Sequence, residues 1–126
     1  TGVMYGDAMG GNPNYDMMLT WWIGDYPSPA ATASLMFESK YIDGGYNLSR
    51  TNVPELDAAI TEAIATTDAD EASAKWSAVD EQIMETGSIL PLYLTRNSFL
   101  RGSGVEAFTV PAYPSFPNYL TITLSE

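Results

Sequence analysis

The sequence predicts a mixed α/β (α+β) fold, because strand-like apolar runs lie on both sides of helices that carry strong end signals. The run Tyr15–Trp22 is almost entirely apolar after Asp16, and its length suits a buried strand. Two segments with the helical period follow in the middle of the chain, and Tyr119–Leu124 alternates apolar and polar residues as a strand does. A chain of 126 residues suffices for one domain that buries roughly two thirds of its unfolded surface.

One carboxylate stands at the end of the first apolar run, among aromatic rings. The order there is Trp21-Trp22-Ile23-Gly24-Asp25-Tyr26, followed by two prolines that stiffen the chain. A carboxylate at the end of a buried strand is costly unless a cation neutralises it, and an amine ligand would do so. The alternative is that Asp25 caps the next helix or begins a turn. The preceding residues 1–14 are rich in glycine and asparagine, which predicts a flexible N-terminal segment.

Three helices are predicted between this carboxylate and the tail. The first is Pro29–Phe37, with Ser28 as its N-cap. Asn52, with a glutamate three residues later, is the predicted cap of the second helix, and Asp68 is that of the third, which Gly87 should end. The acidic group at Asp68 also raises the alternative of a calcium site, but the ligand loop is absent. The apolar stripe of the second helix consists of Leu56, Ala59, Ile60, Ala63 and Ile64. That of the third helix consists of Trp76, Val79, Ile83 and Met84.

The tail is predicted to contain short strands. Ile89–Leu94 reads as a buried strand with a proline at an edge or bulge. Phe99–Arg101 and Val105–Val110 are weaker strand candidates, and a stiff loop of prolines and aromatic residues precedes the final alternating segment.

Composition excludes several classes of function. The chain has 16 acidic and five basic residues, with a net charge of −11, which disfavours nucleic acid and anionic membrane surfaces as partners. It has no histidine and no cysteine, so the usual general base, thiolate nucleophile and zinc ligands are missing. We therefore predict no enzyme activity, no metal site and no cofactor. Asn47-Leu48-Ser49 matches a glycosylation sequon, a triplet that often arises by chance.

Aromatic residues make a better case for binding. Three Trp, eight Tyr and four Phe are present, many outside the periodic faces. Aromatic walls with few polar anchors are typical of ligand clefts. Trp21 and Trp22 are adjacent and would face opposite sides of a strand, so at most one of them can line a given cleft.

The order of these features resembles the C-terminal third of family 5 extracellular solute-binding proteins, the oligopeptide, dipeptide and nickel receptors of ABC importers. The resemblance begins with the apolar run and Trp22-Ile23-Gly24-Asp25-Tyr26-Pro27. It continues through Gly45-Tyr46-Asn47, the helix start at Asn52-Val53-Pro54-Glu55, and Ile89-Leu90-Pro91-Leu92-Tyr93. It ends with Val105-Glu106-Ala107-Phe108 and the closing strand from Asn118. Each motif is common by itself, but their shared order is specific.

The resemblance implies a C-terminal lobe fragment of a type II periplasmic-binding-protein-like fold, with a mixed sheet and packed helices. Residues 15–96 would form the lobe segment, and residues 97–126 would return toward an N-terminal lobe that this chain lacks. Asp25 would pair with the α-ammonium of a peptide, while Trp22, Tyr26 and Trp21 would also contact the ligand. The implied partners are a peptide or other small solute and membrane permease subunits. The implied location is extracytoplasmic, with a lipid anchor in the full-length protein.

Two alternatives stay open. The same family also binds nickel complexes or oligosaccharides, and the aromatic residues are equally compatible with a stand-alone carbohydrate or interaction module. For the tail we expect poor order, repacking on this fragment, or strand pairing between chains through an exposed edge.

Overall fold

The computed structural model describes residues 2–11, 13–113 and 115–125. Thr1, Asn12, Pro114 and Glu126, which fall within the predicted N-terminal segment and tail, lie outside the described residues. The chain divides into two units. The first contains the chain up to Gly24 and Ser28–Pro91, and the second contains Asp25–Pro27 and the chain from Leu92 onward. Helices and a small sheet are both present, so the predicted α+β class is confirmed.

Three helices of the first unit form in the regions where the sequence predicts helices: α2 (Ala30–Phe37), α3 (Pro54–Ala65) and α4 (Ala69–Glu85). A short 3₁₀ helix (Ser39–Tyr41), which was not predicted, follows α2. The Asp68 side chain accepts a hydrogen bond from the Glu71 backbone N–H at 2.9 Å, which confirms its role as a helix cap. Gly87 follows the end of α4 with φ +64°, the left-handed conformation that ends helices.

The other two caps differ from the prediction. The N-cap position of α3 is Val53, and no side chain caps this helix, so the prediction for Asn52 is wrong. Pro54 at the first helical position has no N–H and a preset φ, and it starts the helix without a polar cap. The N-cap position of α2 is Pro29, although the Ser28 hydroxyl accepts a 3.3 Å bond from the Ala30 N–H.

The core of the first unit lies between α2, α3 and α4. Most of the predicted stripe residues are in it, but Ile64 (52% exposed) and Met84 (43% exposed) are on the outside. Both lie at the edge of their stripe, where a three-helix cluster has no fourth layer to cover them. The buried cluster consists of Ala33, Phe37, Leu56, Ile60, Ala63, Val79 and Ile83, with Met36, Val53, Ala59, Trp76 and Ile89 partly buried against it.

The N-terminal segment is a helix, so the expectation of a loop there is wrong. Helix α1 spans Gly2–Met9. Its Ala8 is buried, and the Met9 carbonyl accepts a 2.8 Å bond from the Gly44 N–H. These tertiary contacts override the weak helix propensity of its glycines.

Three predicted strands do not form. Tyr15–Trp22, Ile89–Leu94 and Phe99–Arg101 have no regular secondary structure, and many of their apolar side chains are exposed. A strand requires a neighbouring strand for its backbone groups, and the described residues provide none to these segments.

The second unit contains the remaining strands. β1 (Val105–Thr109) pairs antiparallel with β2 (Asn118–Leu124), and register shifts interrupt the ladder. The predictions of strands in these two regions are confirmed. This two-stranded ribbon is the only sheet among the described residues, whereas the resemblance implied a mixed sheet.

Candidate functional site

Trp22 is fixed inside the first unit by two contacts. Its indole Nε1 donates a hydrogen bond to the Ala31 carbonyl of α2 at 3.1 Å. Its ring meets the Tyr46 ring edge-on, with centroids 5.1 Å apart. Such aromatic pairs stabilise by about 0.5–1.5 kcal/mol beyond their buried area. Trp22 thus joins three parts of the unit: its own segment, α2 and the loop that carries Tyr46.

Trp21 is placed differently. Its side chain is 76% exposed, while that of Trp22 is half-buried. This is the opposite orientation of adjacent residues that the sequence predicts for an extended segment. Of the two rings, Trp21 is the one free to meet a ligand or another surface.

Asp25 and Tyr26 belong to the second unit, and both are exposed. Asp25 lies in a run of bends and does not cap α2, so of the two local alternatives only the turn fits. No lysine or arginine forms an ion pair with it among the described residues. Because the Asp25 carboxylate is exposed, water can solvate it. Burial therefore does not require a cation beside this carboxylate, contrary to the reasoning from sequence.

Tyr113 is a neighbour of Asp25 that the site prediction did not include. Desolvation, and then the negative charge of Asp25, raise the pKa of the Tyr113 hydroxyl above its ordinary value. The turn that carries this residue is held by the Ser115 hydroxyl, which donates to the Ala112 carbonyl at 2.7 Å. No sequence signal separates Tyr113 from the other loop aromatic residues, because its proximity to Asp25 is a tertiary feature.

The loop from Glu38 to Thr51 is organised around the Asn47 side chain, which is 0% exposed. Its Nδ2 donates to the Glu38 carbonyl at 3.1 Å and to the Thr51 carbonyl at 2.8 Å. Its Oδ1 accepts from the Thr51 N–H at 2.9 Å and from the Ser49 hydroxyl at 3.2 Å. The amide nitrogen that a glycan would need is therefore engaged and buried, so the sequon is not presented as an acceptor.

The same loop is bonded to α3 through Ser39 and to the segment that contains Tyr15 through Leu48. The Ser39 N–H donates to Asp57 Oδ1 in α3 at 2.9 Å, and the Ser39 hydroxyl donates to the other oxygen of that carboxylate. The hydroxyl of Tyr15 donates to the Leu48 carbonyl. Gly45 is required at its position, because a Cβ there would lie 2.6 Å from the Tyr41 carbonyl oxygen. The loop is thus a rigid platform against which Trp22 packs.

Two further observations concern the described residues as a whole. They contain no group of three or more acidic side chains placed to hold a metal ion. None of their helices has the length and apolar character needed to span a bilayer.

Comparisons with known proteins point to one class, the extracellular solute-binding proteins. No protein-family model matches the chain. Over 87 residues, 69% of its length, the chain is 28% identical to the periplasmic murein peptide-binding protein MppA of Escherichia coli (strain K12), of which the match covers 16%. Among solved structures, the chain is similar to the clavulanic acid biosynthesis oligopeptide binding protein 2. That match has a TM-score of 0.73 and 27% identity, and it covers 83% of this chain and 20% of the other.

These matches confirm the predicted resemblance to family 5 solute-binding proteins. They also show that the chain spans a fifth or less of the length of either similar protein. The division into residues 1–14, 15–96 and 97–126 remains a prediction, as do the roles of Trp21, Trp22, Asp25 and Tyr26.

Proposed function

We propose that this chain is part of the solute-binding component of an ABC importer for oligopeptides or dipeptides. The observation that carries the proposal is its similarity, in sequence and in structure, to two proteins that are both named for peptide binding. Both are binding proteins, which supports a role in capture rather than in catalysis. The missing histidine and cysteine agree with this assignment.

Within this function, Asp25 is the proposed anchor for the α-ammonium of the peptide. Its carboxylate is exposed, and no cationic side chain in the described part of the chain pairs with it. It is therefore available to a ligand cation. A hydrogen bond to a charged group typically contributes about 1.5–3 kcal/mol, which corresponds to about 10- to 150-fold in affinity.

The aromatic residues of the sequence motif that contains Asp25 have different proposed roles. Trp21 and Tyr26, at 76% and 50% exposure, have ring surface available for a ligand. Trp22 has its indole N–H bonded to Ala31, so its proposed role is to hold its segment in place and to offer at most a ring edge to the solute. This reduces the ligand role that the sequence assigned to Trp22.

The proposed mechanism is capture by closure of two lobes around the solute. This chain would supply part of one lobe, and an N-terminal lobe elsewhere in the protein would supply the opposite wall. The closed form would then dock on permease subunits, and ATP hydrolysis would take place in other subunits. The proposed location is extracytoplasmic, because the relative MppA is a periplasmic protein. A lipid anchor belongs to the same proposal.

A second candidate function is binding of an oligosaccharide, within the same family or as a stand-alone module. The observation that favours it is the exposure of the flat rings of Trp21 and Tyr119, each 76% exposed. Aromatic faces of this kind stack on sugars without needing Asp25. A nickel complex is the remaining alternative within the family, and no described cluster of acidic residues favours a bare metal ion.

A thermal-shift titration separates these candidates. The longest polypeptide that the gene encodes is heated with a tetrapeptide, with its N-acetylated form, with a cello-oligosaccharide, or with a nickel chelate. Each titration is repeated with Asp25→Asn and with Asp16→Asn, which removes the same charge from an exposed position outside the motif. Binding to the native state raises the melting temperature by mass action.

We expect stabilisation by the free-amine tetrapeptide that is lost on acetylation and in Asp25→Asn but kept in Asp16→Asn. Equal stabilisation by the tetrapeptide and by its N-acetylated form would disprove the anchor role of Asp25 but would still support peptide binding. Stabilisation by the sugar alone, or by the nickel chelate alone, would show that this solute is the ligand and would refute the proposal of a peptide.

A further inference from the structure

The motif carboxylate packs with the tail of the chain. Asp25–Pro27 belong to one compact unit with the residues from Leu92 onward, although helices α2, α3 and α4 lie between them along the sequence. Tyr113 lies in this unit and is half-buried, while the two residues before it are exposed. Desolvation and then the negative charge of Asp25 raise the pKa of the Tyr113 hydroxyl, and the effect of a charge fades with distance. The hydroxyl and the carboxylate are therefore close neighbours within one unit.

The turn that presents Tyr113 is held in place by its own contacts. It connects β1 and β2, which pair with each other. The Ser115 hydroxyl donates to the Ala112 carbonyl at 2.7 Å, and the Asn97 side-chain amide donates to the Ser115 carbonyl at 3.3 Å. Ser115 has φ +62°, a left-handed conformation that residues other than glycine adopt only where the surrounding structure imposes it. Tyr113 is thus placed beside Asp25 by the fold of the tail.

The two groups offer two kinds of oxygen atom to a cation. The Asp25 carboxylate only accepts hydrogen bonds, and no lysine or arginine in the described part of the chain forms an ion pair with it. A phenol hydroxyl has one donor hydrogen and two acceptor lone pairs, so its oxygen can accept from a ligand while its hydrogen is donated elsewhere. The raised pKa keeps the Tyr113 hydroxyl neutral at neutral pH. The pair therefore presents one negative charge and two separate acceptors.

We propose that the Tyr113 hydroxyl accepts a second hydrogen bond from the α-ammonium that Asp25 anchors, and so makes the site selective for a primary ammonium. This inference rests on the proposed function and adds a specificity-determining residue to it. A primary ammonium has three N–H donors, which suffice for both groups. A dimethylated ammonium keeps the charge but has one N–H, so it can bond to Asp25 or to Tyr113 and not to both. Asp25 thus selects for charge, and Tyr113 selects for the number of N–H groups.

The test varies the number of N–H donors at constant charge. Isothermal titration calorimetry measures the Kd of a tetrapeptide, of its N,N-dimethyl form and of its N-acetylated form. The protein is the longest polypeptide that the gene encodes, as the parent and as Tyr113→Phe, which removes the hydroxyl and keeps the ring. The matched control is Tyr93→Phe, which removes a hydroxyl from a tyrosine of the same unit that is 77% exposed.

We expect the parent to bind the free-amine tetrapeptide about 10-fold or more tightly than the dimethyl form, because one hydrogen bond to a charged group contributes at least that much. In Tyr113→Phe, the Kd of the free-amine peptide should rise by a similar factor while that of the dimethyl form changes little. The two peptides should then bind almost equally. Tyr93→Phe should match the parent for every peptide, and the acetylated form, which lacks the charge, should bind weakest to the parent.

Three other outcomes would overturn the assignment. An unchanged preference for the primary ammonium in Tyr113→Phe would remove Tyr113 from the site, while tight binding of the peptide would still support the proposed function. Equal weakening of the free-amine and dimethyl forms in Tyr113→Phe would mean that this residue only positions Asp25. If the parent binds neither of these two peptides, the proposed function itself fails, and the role of Tyr113 fails with it.

Discussion

Replacement of Asn47 by alanine tests whether the Glu38–Thr51 loop is a rigid platform. The Asn47 side chain is fully buried and takes part in four hydrogen bonds. The Glu38 carbonyl keeps a second donor after the change, the Tyr41 N–H at 3.1 Å. The Thr51 N–H and C=O have no other backbone partner among the described residues, so the substitution leaves both unsatisfied in a residue that is 6% exposed.

The expected loss follows from these two groups. An unsatisfied buried donor or acceptor costs about 1–3 kcal/mol, so Asn47→Ala should lower the free energy of unfolding by roughly 2–6 kcal/mol. A domain is typically stable by only about 5–15 kcal/mol. The variant should therefore be near the limit of folding, unlike an ordinary surface substitution.

The assay is urea denaturation followed by far-ultraviolet circular dichroism, which reports helix content. All helices of the described chain lie in the first unit, so the signal reports the unit that contains Asn47. The matched control is Asn52→Ala, an exposed asparagine that caps no helix. If Asn47→Ala is unfolded in buffer, both variants are compared in an osmolyte that strengthens burial. Equal midpoints for the two variants would refute the assignment of Asn47 as the organiser of this loop.

Three further predictions concern the same unit. Gly45→Ala should destabilise the first unit by about 1–3 kcal/mol, since the added methyl group would lie 2.6 Å from a backbone carbonyl oxygen. Its control is Gly6→Ala, where the methyl group has open space and should stabilise α1. Asp68→Ala should cost about 1 kcal/mol through loss of the cap on α4, measured by the same denaturation. The hydrogen bond from Lys40 to Glu38 raises the pKa of Lys40, so this pair stabilises fully below pH 10.5 and its contribution is lost as the pH rises through the folded-state pKa.

Each of these has its own control. Asp70→Ala removes an acid from the same helical turn without removing the cap, and a loss as large as that of Asp68→Ala would contradict the capping assignment. For the ion pair, Lys40→Met should flatten the fall of stability above pH 10.5 relative to the parent protein, by less than about 1 kcal/mol because the ammonium is mostly exposed. An unchanged alkaline profile would mean that the pair contributes nothing. A destabilising Gly6→Ala would contradict the open environment in α1.

The sequence predicted the parts of the fold that depend on neighbours along the chain. The apolar period located α3 and α4, because a helix satisfies most of its backbone groups within itself. Asp68 and Gly87 mark the two ends of α4 as their residue types require, whereas the predicted cap of α3 was wrong. The same reasoning located β1 and β2, which lie close together along the chain and pair with each other. Helix α1 was missed because the glycines of this segment predict a loop. The burial of Ala8 and the hydrogen bond to the Met9 carbonyl, which stabilise the helix, are tertiary contacts that the sequence does not reveal.

The prediction of strands failed where a segment has no partner strand among the described residues. Tyr15–Trp22 has the composition of a strand but no partner strand among the described residues. At the candidate site, the opposite orientation of Trp21 and Trp22 followed from the extended backbone. The bond from Trp22 to Ala31 and the nearness of Tyr113 to Asp25 did not, because both are set by tertiary packing.

The arrangement of the buried cluster bears on the order in which this protein assembles. All its contacts join residues between Ala33 and Ile89, so the three helices close their core with short loops and low contact order. Such a cluster can form as soon as it leaves the ribosome, before any distant segment is needed. We expect the helical cluster to be the early folding nucleus of this chain.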